Sequence, residues 1–347
     1  MARPRSILGL LFHLVVLYVR RRPVLYGGMG CALLMALLWH ATDRGAAGAA
    51  LQVGVLRDGF VVSHPADAGR RVIELDPQGA ERRVMTVQHA GDQRVVGTGA
   101  GTAVAWQQDR KVRLVRVEDD RDLGTWGKSV RQLCDGVASN RERFAVGWLE
   151  SDDSVWIVHG PVATATPAET EEITTATGEL VRSDWCGVAS AEQNVGLFWR
   201  TADRLRFVLC GKRKCSGLGA SVRLERRLPV LGIGCLSNVC LIAVRDDTGT
   251  AQLALLTESG RTKWVKPLDT PSQAISIVGV GNRRFAIGYA AKAGAEVVQI
   301  DRDGAIASLW RDAASTGSPA LAWSSDRLLI AHHRGDALIH ATIPLPR

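Results

Sequence analysis

Short runs of β-branched and aromatic residues alternate with turn residues from Leu51 to the end of the chain. The runs at 53–56, 60–63 and 71–75 are four or five residues long, and a turn of sequence Asp-Pro-Gln-Gly follows at 76–79. An amphipathic helix would repeat its apolar positions every three or four residues over ten or more positions. No stretch of useful length beyond Leu51 does so. The pattern therefore predicts an all-β body.

One of these runs recurs along the chain. Phe285 begins it, Tyr289 ends it four positions later, and Val278 lies seven residues upstream. The same spacing fits six other places, with weaker copies among them. The first residues of the seven copies are Phe60, Val95, Phe144, Val195, Cys240, Phe285 and Leu328. The intervals between them are 35, 49, 51, 45, 45 and 43 residues.

A period in the forties, with about four short strands per unit, is typical of a β-propeller blade. A single four-stranded sheet cannot bury both of its faces, whereas sheets arranged around an axis cover one another. We therefore expect an all-β propeller of about seven four-stranded blades over residues 51–347. Six or eight blades are also compatible with the spacing, and a single β-sandwich rarely needs so many strands. We expect residues 51–56 to complete the last blade as a closing strand.

Several units share a short sequence motif in which a β run is followed by an acidic turn, a glycine and then a tryptophan. Residues 253–260 read Leu-Ala-Leu-Leu-Thr-Glu-Ser-Gly and Trp264 follows, 297–304 precede Trp310, and 72–79 lack the tryptophan. This motif resembles the quinoprotein-like (PQQ-like, WD40-like) β-propeller repeat, and the resemblance covers about three units. That superfamily includes cofactor-dependent dehydrogenases and non-enzymatic scaffolds. The calcium and quinone site residues of the dehydrogenases have no match in this sequence, so the resemblance implies a scaffold without a cofactor.

The first fifty residues have a different character. Residues 24–41 are apolar and long enough to cross a bilayer, whereas the apolar run at 7–19 is too short. Because clustered basic residues stay in the cytosol, the sequence predicts a cytoplasmic or interfacial segment at 1–23, an uncleaved signal anchor at 24–41 and a spacer at 42–50. The body would then be extracytoplasmic, which means periplasmic in a bacterium. The clustered basic residues are Arg3, Arg5, Arg20, Arg21 and Arg22.

Two other interpretations of this segment remain open. The small residues at 46–50 could be a signal-peptidase site, although Asp43 and Arg44 make the preceding stretch long and polar. Cys31 could be a lipidation site, but residues 28–30 lack the usual leucine and the apolar run continues beyond the cysteine. Both features favour the signal anchor.

The number and positions of the cysteines agree with export of the body. Six of the seven cysteines follow the apolar segment, and an even count in an exported body favours disulfides. Two pairs each bracket a tight turn and could each close a hairpin, and the third pair lies near equivalent points of successive repeats. The pairs are Cys210 with Cys215, Cys235 with Cys240, and Cys134 with Cys186. A zinc site built from the two close pairs is the rival interpretation, although structural zinc sites typically use the tighter C-x2-C spacing.

Known catalytic motifs are missing from the sequence. It contains no P-loop, dinucleotide fingerprint, zinc-protease helix or G-x-S-x-G elbow, so no catalytic or cofactor-binding residue is predicted. The glycines at 97–101 lie among strands and predict a turn. His332, His333 and His340 offer metal-ligand atoms, but strand alternation puts the first two on opposite faces, and we predict no metal site.

Large side chains share the last position of the recurring run. They could line a surface where a ligand stacks, but repetition in most units favours packing between blades. These residues are His64, Trp148, Trp199, Tyr289 and His332.

A basic tripeptide, Lys212-Arg213-Lys214, lies between two of the cysteines. If the disulfide forms, the tripeptide would be exposed and held in place. It would then suit an anionic partner such as lipid headgroups, an acidic glycan or an acidic protein surface. The alternative is that the tripeptide is only a solvent-exposed hairpin tip without a binding role.

Net charge is +8, and five of these charges precede the first acidic residue, so the body is only mildly basic. It has no basic stripe with interleaved aromatics, which argues against a nucleic-acid partner. The sequence therefore predicts a membrane-anchored propeller that acts as a non-enzymatic protein-interaction scaffold in the cell envelope. The alternative is a propeller enzyme or small-ligand sensor with its site at the central funnel.

Overall fold

Seven β-sheets follow one another along the body of the chain. The computed structural model describes residues 51–67, 69–88, 92–98, 101–136, 138–140, 143–161, 169–172, 183–191, 194–201, 204–210, 215, 220–223, 229–281 and 283–345. Each sheet is an antiparallel meander, so we number the sheets as blades 1 to 7 in chain order. The seven-bladed, all-β architecture predicted from the repeat is confirmed.

The strands have the following bounds. Blade 1 contains β1 (Gln52–Leu56), β2 (Gly59–Ala66), β3 (Gly69–Leu75) and β4 (Glu81–Val87). Blade 2 contains β5 (Gln93–Thr98), β6 (Gly101–Gln108), β7 (Lys111–Arg116) and β8 (Arg121–Trp126). Blade 3 contains β9 (Val130–Leu133), β10 (Ala138–Ser139), β11 (Arg143–Glu150), β12 (Val155–Pro161) and β13 (Glu169–Glu172). Blade 4 contains β14 (Trp185–Ser190), β15 (Val195–Arg200), β16 (Arg204–Cys210) and β17 (Ala220–Arg223).

The last three blades continue the pattern. Blade 5 contains β18 (Val230–Cys235), β19 (Val239–Arg245), β20 (Ala251–Thr257) and β21 (Thr262–Leu268). Blade 6 contains β22 (Ser276–Val280), β23 (Arg284–Ala291), β24 (Gly294–Asp301) and β25 (Ile306–Asp312). Blade 7 contains β26 (Ala320–Ser324), β27 (Arg327–Arg334) and β28 (Ala337–Pro344). In blade 3, β9 and β10 pair with opposite ends of β11 and together form the inner strand.

Strand pairing corrects the position of the second repeat. The anchor residues of blades 1 and 3, Phe60 and Phe144, lie near the start of the second strand of each blade. Val95 instead lies in β5, the inner strand of blade 2. Phe60 pairs with Val55 in the first hairpin of blade 1, and the corresponding residue of blade 2 is Thr102. Thr102 lies 42 residues from each neighbouring anchor, so the repeat is more regular than the sequence suggested.

The predicted closing strand is wrong. Residues 51–56 were expected to join blade 7, but β1 pairs with β2 in its own blade, with Leu56 opposite Gly59. A two-residue hairpin loop makes this local pairing favourable, because it costs little loop entropy. Within the described residues blade 7 therefore has three strands, and none of them is shared with blade 1.

Side chains close the ring instead. Val55, Phe60 and Ile73 of blade 1 belong to one buried apolar cluster that also contains Ala322, Leu329 and Ala331 of blade 7. Two polar contacts add to this junction, which we call the closing seam. His340 Nε2 lies 3.0 Å from Gly79 O, and Thr342 Oγ1 donates to Gln78 O at 2.8 Å. Both acceptors belong to the turn between β3 and β4.

The hydrophobic core is divided into clusters that lie mostly between neighbouring blades. One cluster joins Leu241 and Leu255 of blade 5 to Phe285 and Ile287 of blade 6. The inner strands approach one another closely near the axis, which explains their glycines. A Cβ on Gly97 would lie 1.9 Å from Val55 O. Any side chain at this position would push two backbones apart.

No helix in the described part of the chain is long and apolar enough to cross a membrane. The predicted signal anchor at 24–41, with the flanking segments at 1–23 and 42–50, lies outside the described residues. The predicted anchor therefore stays a prediction.

Candidate functional site

The repeated aromatic position serves packing. Trp148, Trp199, Tyr289 and His332 are all buried, and only His64 of the predicted set is partly exposed. Trp148 stacks on Trp156, which faces it on the next strand, with ring centroids 6.3 Å apart. Such rings fill the space between sheets, as expected from their repetition.

One member of this set escaped the sequence analysis. Trp106 lies four residues after Thr102 and is buried like its counterparts. It stands 42 residues after His64 and 42 before Trp148. That equal spacing was the signal that could have found it. The polar anchor Thr102 conceals this copy of the repeat, because the anchors of the other copies are apolar residues or cysteine.

Three disulfides join the pairs that the spacing favoured. Cys210 is bonded to Cys215, Cys235 to Cys240, and Cys134 to Cys186. The last bond links the inner strands of blades 3 and 4, with a Cα–Cα distance of 4.7 Å. Next to it, Asp135 N donates to Cys186 O and Val188 N donates to Asp135 O, each at 2.8 Å. Blades 3 and 4 are thus joined covalently and by backbone hydrogen bonds.

Polar side chains link the first four blades near the starts of their inner strands. The Gln52 side chain accepts from Val95 N at 2.9 Å and so joins β1 to β5. Arg94 Nη2 lies 3.3 Å from Asp135 Oδ1. Trp185 Nε1 donates to the other oxygen of the same carboxylate at 2.7 Å. We call this set, together with Asp92, the inner-strand network.

Charge within the inner-strand network is balanced locally. Arg94 is buried and pairs with both Asp92 and Asp135. Partial desolvation raises the pKa of Asp135, whose side chain is still 44% exposed, although Arg94 and the indole hydrogen bond oppose the shift. Burial, and then repulsion by Arg94, lowers the pKa of nearby Arg70 to about 10. Arg70 donates to Ser63 Oγ at 2.8 Å. Both carboxylates are paired with an arginine or an indole N–H. This arrangement favours a structural role in linking the blades over a ligand site at the central funnel.

Blades 1 and 2 also share a pair of carboxyl groups. Glu74 Oε1 accepts from Thr102 Oγ1 at 2.7 Å, and Glu118 Oε1 accepts from the backbone N–H of the same threonine. Burial, and then a hydrogen bond to Glu74, raises the pKa of Glu118 to about 7. A protonated Glu118 can donate to the Glu74 carboxylate, and with a pKa of about 7 Glu118 carries a proton in about half of the molecules at neutral pH.

A histidine and a disulfide meet between blades 3 and 4, a contact that the sequence analysis missed. His159 on β12 is fully buried, and its Nε2 lies 3.9 Å from Cys215 Sγ. Its Nδ1 lies 2.6 Å from Nη2 of Arg143, which is also buried. Because a guanidinium only donates, Nδ1 must accept and the ring proton lies on Nε2, facing the sulfur. Burial and then Arg143 lower the pKa of His159 to about 4, so the ring is neutral at physiological pH.

The same cluster could in principle hold a metal ion. One ligand atom each from His159, Cys210 and Cys215 lies within 4.8 Å of the others. A bound metal would need a lone pair on His159 Nε2 and thiolate sulfurs. Here the sulfurs are joined to each other, and Arg143 holds the proton on Nε2. These residues therefore fit a disulfide with a hydrogen-bond donor better than a metal site.

The three histidines considered as ligands lie apart. His332 is buried against Trp310, with Nε2 3.5 Å from Asp312. His333 contacts His64 across the closing seam, with ring centroids 6.0 Å apart. The side chain of His340 points to the turn of blade 1, as described above. The basic tripeptide Lys212-Arg213-Lys214 lies outside the described residues.

Comparisons with known proteins agree on the fold. No protein-family model and no curated protein matches the chain. The solved structure of BBS1N in complex with ARL6DN is similar, with 12% identity, a TM-score of 0.55 and coverage of 87% of this chain and 93% of that one. The WD40 domain of Toxoplasma gondii coronin has 9% identity, a TM-score of 0.57 and coverage of 85% and 81%.

A third similar structure is the β-propeller domain of the Trilobed protease from Pyrococcus furiosus, which is described as having an open velcro topology. Its identity is 8%, its TM-score is 0.50, and the match covers 86% of this chain and 97% of that one. Identities this low show a shared fold alone. The quinoprotein-like repeat type therefore stays a prediction, and the chain is, by its own strand pairing and by these likenesses, a seven-bladed β-propeller.

Proposed function

We propose that this protein is a membrane-anchored propeller that acts as a protein-interaction scaffold on the extracytoplasmic side of the cell envelope. The observation that carries the proposal is the set of three disulfides within one propeller. Disulfides persist in oxidising compartments and are rare where thiol reductants are abundant. The basic and apolar pattern of residues 1–41 supports the same side of the membrane, because positive flanks stay cytoplasmic.

The architecture supports binding at the surface. The inner strands pack backbone against backbone, as at Gly97 and Val55, and the polar groups of the inner-strand network are paired. Large apolar side chains are exposed on outermost strands instead. Val265 on β21 and Ile306 on β25 are 57% and 48% exposed and lie on adjacent blades. A contiguous exposed apolar patch marks a contact surface, and these two side chains are our candidates for contact residues on blades 5 and 6. The similar BBS1N structure was solved with a protein partner, ARL6DN.

Topology can be tested with fusions to the C-terminus of the full chain. We expect alkaline phosphatase to be active there and green fluorescent protein to be dark, because the first folds only after export and the second only in the cytosol. A fluorescent fusion with inactive phosphatase would overturn the extracytoplasmic placement.

Partner binding can be tested by affinity purification of the tagged full chain from detergent-solubilised membranes. A stoichiometric protein partner is expected, and Val265→Lys with Ile306→Lys should release it. Val84→Lys is the matched control, because Val84 is 44% exposed on β4, the outermost strand of the distant blade 1. A monomer without a partner in every detergent and growth condition would overturn the scaffold proposal.

A further inference from the structure

The three disulfides differ in how exposed their cysteine residues are. Five of the six bonded cysteines are buried, and Cys215 is only partly buried. Thiol–disulfide exchange begins with a thiolate that reaches one sulfur and displaces the other, so access to one sulfur is required. Among the three bonds, the one between Cys210 and Cys215 contains the partly exposed cysteine, so it is the candidate for such attack in the folded protein.

The surroundings of Cys215 also favour its release as a thiolate. The N–H on His159 Nε2 faces Cys215 Sγ at 3.9 Å, and Arg143 lies directly behind the ring. A hydrogen-bond donor and a nearby positive charge stabilise a thiolate, so they favour the step of exchange in which Cys215 is the leaving group. The ring is neutral at physiological pH, because burial and Arg143 lower the pKa of His159 to about 4, and the Arg143 donor at Nδ1 keeps the single ring proton on Nε2.

We propose that the Cys210–Cys215 disulfide is a redox-active site that exchanges with low-molecular-weight thiols, while the other two disulfides are structural. A thiolate RS⁻ attacks Cys215 Sγ, the bond to Cys210 breaks, and Cys210 Sγ leaves with the electron pair and later takes a proton. A second RS⁻ then attacks the mixed disulfide at the sulfur of the first R group. This step releases RSSR and the Cys215 thiolate. Two thiols are thus oxidised and one protein disulfide is reduced.

The proposed redox site comprises the two cysteines and the residues that contact them. Residues 211–214, which separate the cysteines in the sequence, lie outside the described residues. This inference does not depend on the scaffold proposal, since exchange can occur whatever the protein binds.

Cys235–Cys240 provides a matched control within the same molecule. It has the same sequence separation of five residues, but both of its cysteines are fully buried. The purified full chain in detergent would be incubated at pH 7 with reduced and oxidised glutathione at graded ratios. Free thiols would then be alkylated at timed points and located by mass spectrometry. We expect reduction at Cys210 and Cys215 to be on the order of tenfold or more faster than at Cys235 and Cys240.

A His159→Phe variant tests the contribution of the His159 N–H donor separately from that of the solvent exposure of Cys215. It removes the N–H donor at Cys215, and we expect the rate at which the free Cys215 thiol appears to fall about tenfold, the effect of losing one hydrogen bond to a charged sulfur. The ratio to the rate at Cys235–Cys240 in the same sample corrects for general loosening of the fold. An unchanged ratio would overturn the role of His159. Equal rates at the two bonds in the natural protein, or no reduction before unfolding, would overturn the redox proposal itself.

Discussion

Removing the disulfide between blades 3 and 4 should destabilise the propeller more than removing a hairpin disulfide. A disulfide stabilises mainly by restricting the unfolded chain, and the effect grows with loop length. Cys134 and Cys186 are 52 residues apart, which corresponds to about 4 kcal/mol. Cys235 and Cys240 are five residues apart, which corresponds to about 2 kcal/mol. We therefore expect the free energy of unfolding to fall by about 2 kcal/mol more in the Cys134→Ala/Cys186→Ala variant than in Cys235→Ala/Cys240→Ala.

The comparison tests loop length because the two pairs of cysteines are equally buried. All four cysteines are buried, so the cavities left by alanine are similar and cancel in the difference. Alanine is preferred to serine, since a buried hydroxyl would add its own cost. Urea unfolding followed by tryptophan fluorescence gives the midpoint and slope for each variant. Equal losses, or a larger loss for the hairpin variant, would refute the loop-length reasoning.

Three further predictions concern single residues. In the natural protein, stability should fall as pH rises from about 4.5 to about 7, because burial and Glu74 disfavour the ionised Glu118, whereas Glu118→Gln stays neutral; the melting temperature of the variant should therefore rise relative to that of the natural protein over this range, and a constant difference would contradict it. Trp264→Phe should cost about 1 kcal/mol, because Nε1 donates to Arg302 O of the next blade at 2.9 Å; an unchanged urea midpoint would show that this hydrogen bond contributes nothing. Gly97→Ala should prevent folding or lower the melting temperature severely, because its Cβ would lie 1.9 Å from Val55 O; a natural melting curve would disprove the close approach.

The fold could be predicted because its signals are local and repeated. Strand alternation and a period in the forties were enough to indicate seven blades. Blade 2 was misplaced because Val95 lies in an apolar inner strand that imitates the second strand, while the true anchor, Thr102, is polar. Residues 51–56 were assigned to blade 7 because the sequence does not show that the adjacent hairpin competes more strongly for them.

The candidate site was only half predictable. Spacing suggested the disulfide pairs, because each close pair brackets one turn. The neighbours of Cys215 could not be found in this way. Arg143 and His159 come from β11 and β12 of blade 3, whereas Cys215 follows β16 of blade 4. They meet only because strand register and blade packing bring them together, and neither is visible in a linear pattern.

The closing seam has a mechanical consequence. In the described structure the propeller begins at β1 and ends at β28, and these two strands belong to the two blades that face each other across the seam. Blades 1 and 7 are held together by apolar packing and by contacts such as His340 to Gly79, without a shared strand among the described residues. A pulling force on the two ends of the propeller would therefore load this junction first. We expect blades 1 and 7 to separate at the closing seam before the strands of any blade are pulled apart.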